Sequence, residues 1–340
     1  MTRSLKSIRL AVPFAPLTLA FCLVSPVAPG DDAESSTALQ ALPNWAFVVN
    51  PRAGESPANT TPADNRPQHV PGSVAAFTLA RIADLSNAPD WHPEHHPTMP
   101  DIVAHGRRPD VFACGYCHLP NGQGRPENSS LAGLPVDYIV QQLADFKNGA
   151  RRSSEPKHLP TASMINNESK ATPQEIHAAA QYFSSLNPLR WIRVVETRTV
   201  GKTHVAGWML VSSSAAGVEP MGTRIVETPE NLERTELRDD ASGFIAYVPM
   251  GSIKKGESLV KTGDSGRTVP CAGCHGANLK GVGNVPSIAG RSPSYVVRQL
   301  YDIKTGSRAG INAELMRAPV SQLTVSDMVS IAAYTASLQP

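Results

Sequence analysis

The spacing of apolar and polar positions changes several times along this chain, and each change marks a segment. Leu10 to Val24 is an apolar run broken by Thr18, with Pro13 and Pro16 inside it and Arg3, Lys6 and Arg9 ahead of it. A run that short and proline-broken suits a secretory signal better than a membrane span. Ala28-Pro29-Gly30 offers a cleavage site, so residues 1–30 are expected to be a signal peptide. Residues 31–73 are rich in Pro, Ala and Asn and read as an extended or disordered lead. Residues 74–110 are expected to hold one helix, near Val74 to Leu85, followed by irregular structure. Tyr138, Val140, Leu143 and Phe146 then recur at helical spacing, with Gly149 as the stop. Thr172-Pro173-Gln174-Glu175 reads as an N-cap, a first-turn proline and a first-turn acid, opening a helix that runs towards Leu186. From Arg190 to Met250 the pattern alternates. Ile192, Val194, Trp208, Leu210, Ile225, Ile245 and Tyr247 sit in short runs punctuated by Gly201, Gly207, Gly217, Gly222 and Gly243, which predicts several short strands.

A repeat organises these segments. At an offset of 157, Cys114, Cys117, His118, Asn121 and Gly124 fall on Cys271, Cys274, His275, Asn278 and Gly281. The register holds through Ala132/Ala289, Tyr138/Tyr295, Gln142/Gln299, Asp145/Asp302 and Arg151/Arg308. It then becomes 152 and pairs Met164 with Met316, Tyr182 with Tyr334 and Leu186 with Leu338. A unit this long is a duplicated domain, not a solenoid repeat. The expected fold is therefore mainly α. A first helical domain (74–188) and a second (251–340) flank a small β-rich insert (189–250), whose topology the pattern does not fix.

Composition adds limits. At 340 residues, 41% hydrophobic and 18% charged, the chain suits a soluble globular protein of two or three domains. A net charge of +2 is too weak to point to nucleic acid. Cys22 leaves with the signal, and the remaining four cysteines stand in two pairs, each followed at once by histidine.

That grouping carries the chemistry. In each Cys-x-x-Cys-His run the cysteines, at i and i+3, share a helical face with the histidine at i+4. Two thiols can then form thioethers to one haem while the histidine reaches its iron, the c-type attachment signature. A shared zinc site is disfavoured, because the pairs lie 157 residues apart and each has its own histidine. A thioredoxin-like pair would need a βαβ setting that is missing. The expected covalent anchors are Cys114, Cys117, Cys271 and Cys274, with His118 and His275 as proximal iron ligands. The repeat also nominates the second axial ligands: Met164 and Met316 stand 46 and 41 residues after their histidines, each expected in a loop before the last helix of its copy. Thioether ligation closes the iron to other ligands and raises its potential, which suits electron transfer. His158 is the rival to Met164. His92, His95, His96 and His105 form a loose cluster read as solvated loop histidines, with a metal site as the other reading. Arg151 and Arg308 could face haem propionates or lie at helix-end surfaces.

Both copies resemble class I c-type cytochrome domains, over about residues 100–187 and 251–340. The shared features are the Cys-x-x-Cys-His start, the turns Ser130-Leu131-Ala132-Gly133 and Ser287-Ile288-Ala289-Gly290, the Tyr…Gln-Leu…Gly-x-Arg helix and the late methionine. The resemblance implies three main helices around each haem and an electron-transfer role. It implies two covalent haem c groups, and redox partners such as a dehydrogenase, an oxidase or another cytochrome. The expected location is the periplasm or outside the cell, with the membrane periphery allowed. No catalytic residues are assigned; a dihaem peroxidase or a dehydrogenase subunit is the alternative. One departure stands out. The family's proline eleven residues after the histidine is Pro286 in the second copy but Ser129 in the first, which puts the setting of His118 in question.

Overall fold

The computed structural model describes residues 41–50, 65–213 and 217–340, all within one compact unit, Gln40–Pro340. The expected signal peptide, 1–30, lies outside them. The first copy begins with two short helices, α1 (Leu79–Ile82) and α2 (Asp101–Ala104), separated by a 3₁₀ turn at Pro93–His95. The single longer helix expected at 74–85 is thus reduced to one turn. Pro89, Pro93, Pro97 and Pro100 leave no uninterrupted stretch for another long one. Next come α3 (Cys114–His118), α4 (Val136–Lys147), α5 (Leu159–Lys170) and α6 (Pro173–Ser185). The N-terminus of α6 is the expected capping box: the Thr172 hydroxyl accepts from Glu175 N at 3.2 Å, and the Glu175 carboxylate accepts from Thr172 N at 2.8 Å.

The described residues of the insert hold seven strands, β1 (Ile192–Thr197), β2 (Thr199–Gly201), β3 (Thr203–Ala206), β4 (Met209–Ser212), β5 (Val218–Pro220), β6 (Val226–Pro229) and β7 (Phe244–Pro249). A short helix that the pattern did not announce, α7 (Leu232–Glu236), precedes β7. The central sheet has the order β1-β7-β6, with β1 and β7 parallel and β6 antiparallel to β7; β2 pairs β5, and β3 pairs β4. The second copy follows as α8 (Ser252–Thr262), α9 (Ala272–His275), α10 (Pro293–Thr305), α11 (Ile311–Ser321) and α12 (Val325–Ser337). Gly256 sits where α8 crosses α12: a Cβ there would lie 1.9 Å from the Ser330 carbonyl oxygen, so the approach needs glycine.

Two large cores, with two small satellites, organise the described residues. The first copy packs Ile102, Val103, Ile139, Ala180 and Phe183 around α4 and α6. The second core joins the second copy to the insert, since Leu259, Val297, Met328 and Ala332 are continuous with Ile192, Ile225, Phe244 and Val248 of the insert. The strands alternate as expected; β7 reads buried, half-buried in strict succession. The lead also contributes. Ala46 and Phe47 are buried in that core, and Arg298 donates to Ala46 O at 2.8 Å. The described part of the lead is thus held against the body by apolar burial. Among the described residues no helix is long and apolar enough to cross a membrane.

Candidate functional site

Each Cys-x-x-Cys-His run forms a single helical turn, α3 or α9, which puts both thiols and the imidazole on one side as the spacing requires. None of the four cysteines is in a disulfide. His118 Nδ1 lies 2.9 Å from Ser129 O, and His275 Nδ1 lies 2.8 Å from Pro286 O. A carbonyl only accepts, so each Nδ1 carries the hydrogen and each Nε2 keeps its lone pair. Burial lowers both imidazole pKa values, the carbonyl hydrogen bonds opposing it. The departure at Ser129 is therefore resolved: the backbone carbonyl orients the ring, and serine supplies one as well as proline does.

In the first copy these groups line a cavity of about 560 Å³. Cys114, Cys117 and His118 form part of its wall. Ile139, Leu143, Phe146 and Phe183 make it apolar, and Met164 and His158 enter from α5 and its N-cap. Both methionines lie inside helices, Met164 in α5 and Met316 in α11, and not in the loops expected. The reason is physical. Only Pro160 and Glu168 of α5, and Ala313 and Val320 of α11, are buried, so neither helix buries a continuous apolar stripe. His158 is buried beside the same cavity, its Nδ1 3.1 Å from Thr161 Oγ1. Burial pushes its pKa down to about 3, with Arg298 adding to the effect, so it stays neutral. Burial pushes the Cys114 thiol up to about 12 and the Glu168 carboxyl up to about 7, Lys147 opposing the latter.

Part of the wall comes from outside the copy. Gly207 and Trp208, the turn between β3 and β4, line the cavity, as do Arg238, Tyr295, Arg298 and Gln299. Arg238 also donates to Tyr116 O at 2.8 Å, with its guanidinium carbon 3.6 Å from the Tyr116 ring centroid. Only the alternation of the insert was legible in sequence, not its target, because these contacts bridge residues about a hundred positions apart. The residues fit a haem. The space is large and mostly apolar, two thiols and a lone-pair imidazole converge on it, and the buried Trp208 Nε1–H has no acceptor among the described residues, as an anionic propionate would require. In the second copy the donor set is the same. There Cys271 packs against the core, Cys274 is exposed, and Met316 is half-buried against that core.

The histidine cluster is not uniformly solvated. His92 is buried and the His96 side chain is only 2% exposed, whereas His95 and His105 face solvent. His92 is claimed by Asp239 of the insert at 3.1 Å and His96 by Asp90 at 3.2 Å, which explains why these two are drawn in.

The cytochrome c family model matches residues 253–339. Over 234 residues the chain is 26% identical to a thiosulfate dehydrogenase electron acceptor of Thiomonas intermedia, an alignment that spans 67% of this chain and 80% of that protein. It is 34% identical over 68 residues to cytochrome c-554(548) of Halomonas halodenitrificans, 20% of this chain and 82% of the relative. Among solved structures, cytochrome c4 of Acidithiobacillus ferrooxidans aligns with a TM-score of 0.43 at 21% identity, covering 66% of this chain and 98% of that one.

Proposed function

Because the chain belongs to the c-type cytochrome family and is an electron-transfer protein carrying two covalent haem c groups, we propose that Cys114, Cys117, Cys271 and Cys274 hold those groups, with His118/Met164 and His275/Met316 as the axial pairs. The two domains are assigned to residues 74–188 and 251–340, with the insert at 189–250. A haem so held supplies a one-electron ferrous–ferric couple. The chain's own part is to fix the imidazoles through Ser129 O and Pro286 O and to present thioether sulfur from α5 and α11. The observation that carries the reading is this double construction: two turns of identical chemistry, each with its histidine pinned by a carbonyl eleven residues on.

The electron donor in this reading is a dehydrogenase of an inorganic sulfur compound. The support is the alignment with a thiosulfate dehydrogenase electron acceptor over 80% of that protein's length. The location proposed is outside the cytoplasm, supported by the basic start and broken apolar run of residues 1–30.

Redox-titrated visible spectroscopy of the purified holoprotein tests the ligands. Two low-spin haems with a weak near-infrared sulfur-to-iron band are expected. Met164→Ala and Met316→Ala should each open one iron to carbon monoxide, while His158→Ala leaves the spectrum unchanged. Peroxide turnover, or carbon monoxide binding, by the unmutated protein would replace the carrier reading with an enzymatic one. Rapid reduction of the oxidised protein by a thiosulfate dehydrogenase, followed by stopped flow, tests the donor; no reduction faster than a non-partner control removes that assignment.

A further inference from the structure

Beside the first motif, residues 91–96 fold over the loop that follows α7. The Trp91 indole N–H donates to Leu237 O at 2.8 Å, and His92 Nε2 lies 3.1 Å from Asp239 Oδ1. Asp239 is held in place independently: Ala241 N donates to Oδ1 at 2.9 Å and Arg234 Nε donates to Oδ2 at 2.6 Å. A carboxylate already accepting from these groups makes Nε2 the protonated nitrogen of His92 and leaves the lone pair on Nδ1. That Nδ1 is buried, on a side chain 3% exposed, and among the described residues no hydrogen-bond donor reaches it. It faces Glu94 Oε1 at 3.6 Å, and the same oxygen lies 3.6 Å from His95 Nε2. The two imidazoles stack, with centroids 5.1 Å apart and planes 13° from parallel. All three ligand atoms lie within 4.8 Å of one another.

Three potential ligand atoms thus lie close together, and the 3.6 Å separations between them are too long for hydrogen bonds, an arrangement that a cation completes. Ligands ~2.1 Å from a tetrahedral ion stand ~3.4 Å apart, close to the two separations here. Two imidazole nitrogens with one carboxylate oxygen suit a borderline transition metal rather than calcium or magnesium. A ligating histidine that hands its other N–H to a fixed carboxylate is also the usual supporting arrangement for such a site. We propose that His92 Nδ1, Glu94 Oε1 and His95 Nε2 bind one divalent metal of the zinc class, separate from both haems. The other possible triad, His92 with Asp239 and Asp240, would require His92 to surrender its hydrogen bond and Asp239 to take on a further partner. Glu94 and His95 are more than half exposed, so the ion enters from solvent and water completes its coordination. Bound there, it clamps the 92–95 turn. Asp239 links that turn to the insert, and Asn121, which donates to Asp240 O at 2.5 Å, links the insert to the first motif.

The test uses untagged holoprotein, in which haem occupies the four cysteines, stripped of loosely held metal and dialysed against Zn²⁺. Zinc and iron are then counted by mass spectrometry. The expected result is one zinc for every two irons with a dissociation constant on the order of micromolar. His95→Ala and Glu94→Gln should each weaken uptake at least tenfold with the visible haem spectrum unchanged, and His204→Ala, at an exposed histidine on β3, should not. His92→Asn should abolish uptake where it folds; the two exposed-side variants decide the matter where it does not. No uptake at Zn²⁺ concentrations on the order of 100 µM would mean that nothing heavier than a proton sits between His92 and Glu94, and overturns the site. Uptake unaffected by His95→Ala overturns it as well.

Discussion

The residue directly after each haem-motif histidine turns the chain sharply, and the two copies solve that turn with different side chains. Gly276 has φ 83° and ψ 155°, and Leu119 has φ 63° and ψ 154°. This region is open to glycine and costs a residue with a Cβ about 1–3 kcal/mol. Leu119 is nevertheless only 2% exposed, and burying its side chain returns about 1.5–3 kcal/mol. The two effects nearly offset, which explains how leucine persists where the second copy has glycine. An inverted order of damage follows. Leu119→Ala loses the burial and keeps the strain, so it should destabilise by about 2–4 kcal/mol. Leu119→Gly loses the same burial but relieves the strain, and should be the milder change by about 1 kcal/mol. Denaturant midpoints of the two variants decide it; alanine milder than glycine would mean the strain is absent. Ser129 teaches the same lesson, since the required group there is a backbone carbonyl that any residue supplies.

Among the elements, legibility followed the apolar stripe. Helices α4, α6, α10 and α12 bury one face or more and carry recognisable caps and stops, so their spacing and their Thr172 and Thr324 starts could be read directly. Helix α5 lines the cavity, and α11 gives the second core only Ala313 and Val320 with Met316 against them, so their methionines could be found only by aligning one copy with the other. The insert's strands were legible by alternation, but not the fusion of its sheet with the second core, because sheet order depends on contacts distant in sequence. One such contact ties β6 to α10. Glu227 Oε2 accepts from Ser292 Oγ at 2.8 Å, Ser294 Oγ at 2.5 Å and Ser294 N at 3.3 Å, while Oε1 has no partner among the described residues. Burial raises this carboxyl's pKa, the serine hydrogen bonds opposing it. A raised folded-state pKa means the native state holds the proton after the unfolded chain has released it. Stability from this group is therefore full below the ordinary glutamate range and lost as pH rises towards the folded value. Glu227→Gln keeps the acceptor without the titration. Relative to the unmutated protein it should gain stability between pH 4.5 and pH 8, as read by guanidine unfolding at both; a difference that is constant or falls with pH refutes the account.

At the scale of the whole molecule the duplication is also an interface. Backbone pairing joins Arg151 to Arg308, and Arg152 N donates to Ser307 O and Ala309 N to Ala150 O, both at 2.7 Å. The side chains then cross. Arg151 donates to Gln142 of its own copy at 3.0 Å, and to Tyr295 and Gln299 of the other, each at 3.0 Å. Arg308 donates to Gln299 at 2.9 Å, and across to Tyr138 at 2.9 Å and Gln142 at 2.7 Å. The repeat-matched triplet of Tyr, Gln and Arg therefore serves two positions at once, inside its copy and against the other. Sequence comparison could pair these residues but could not reveal that they meet, since a repeat says nothing of how its copies dock. The shared acceptors make a quantitative prediction. Each glutamine Oε1 takes a hydrogen from both arginines, so removing one arginine leaves that oxygen served by the other, and removing both leaves it without either donor. Arg151→Met and Arg308→Met should each cost about 1–3 kcal/mol, since each also strands a tyrosine hydroxyl. The double variant should then depart from the sum of the singles by about 0.5–3 kcal/mol, because the second removal no longer acts on an intact network. Equilibrium unfolding of the four proteins closes the cycle; additivity within about 0.3 kcal/mol would show that the two arginines act independently and that the crossed network does not couple the haem domains.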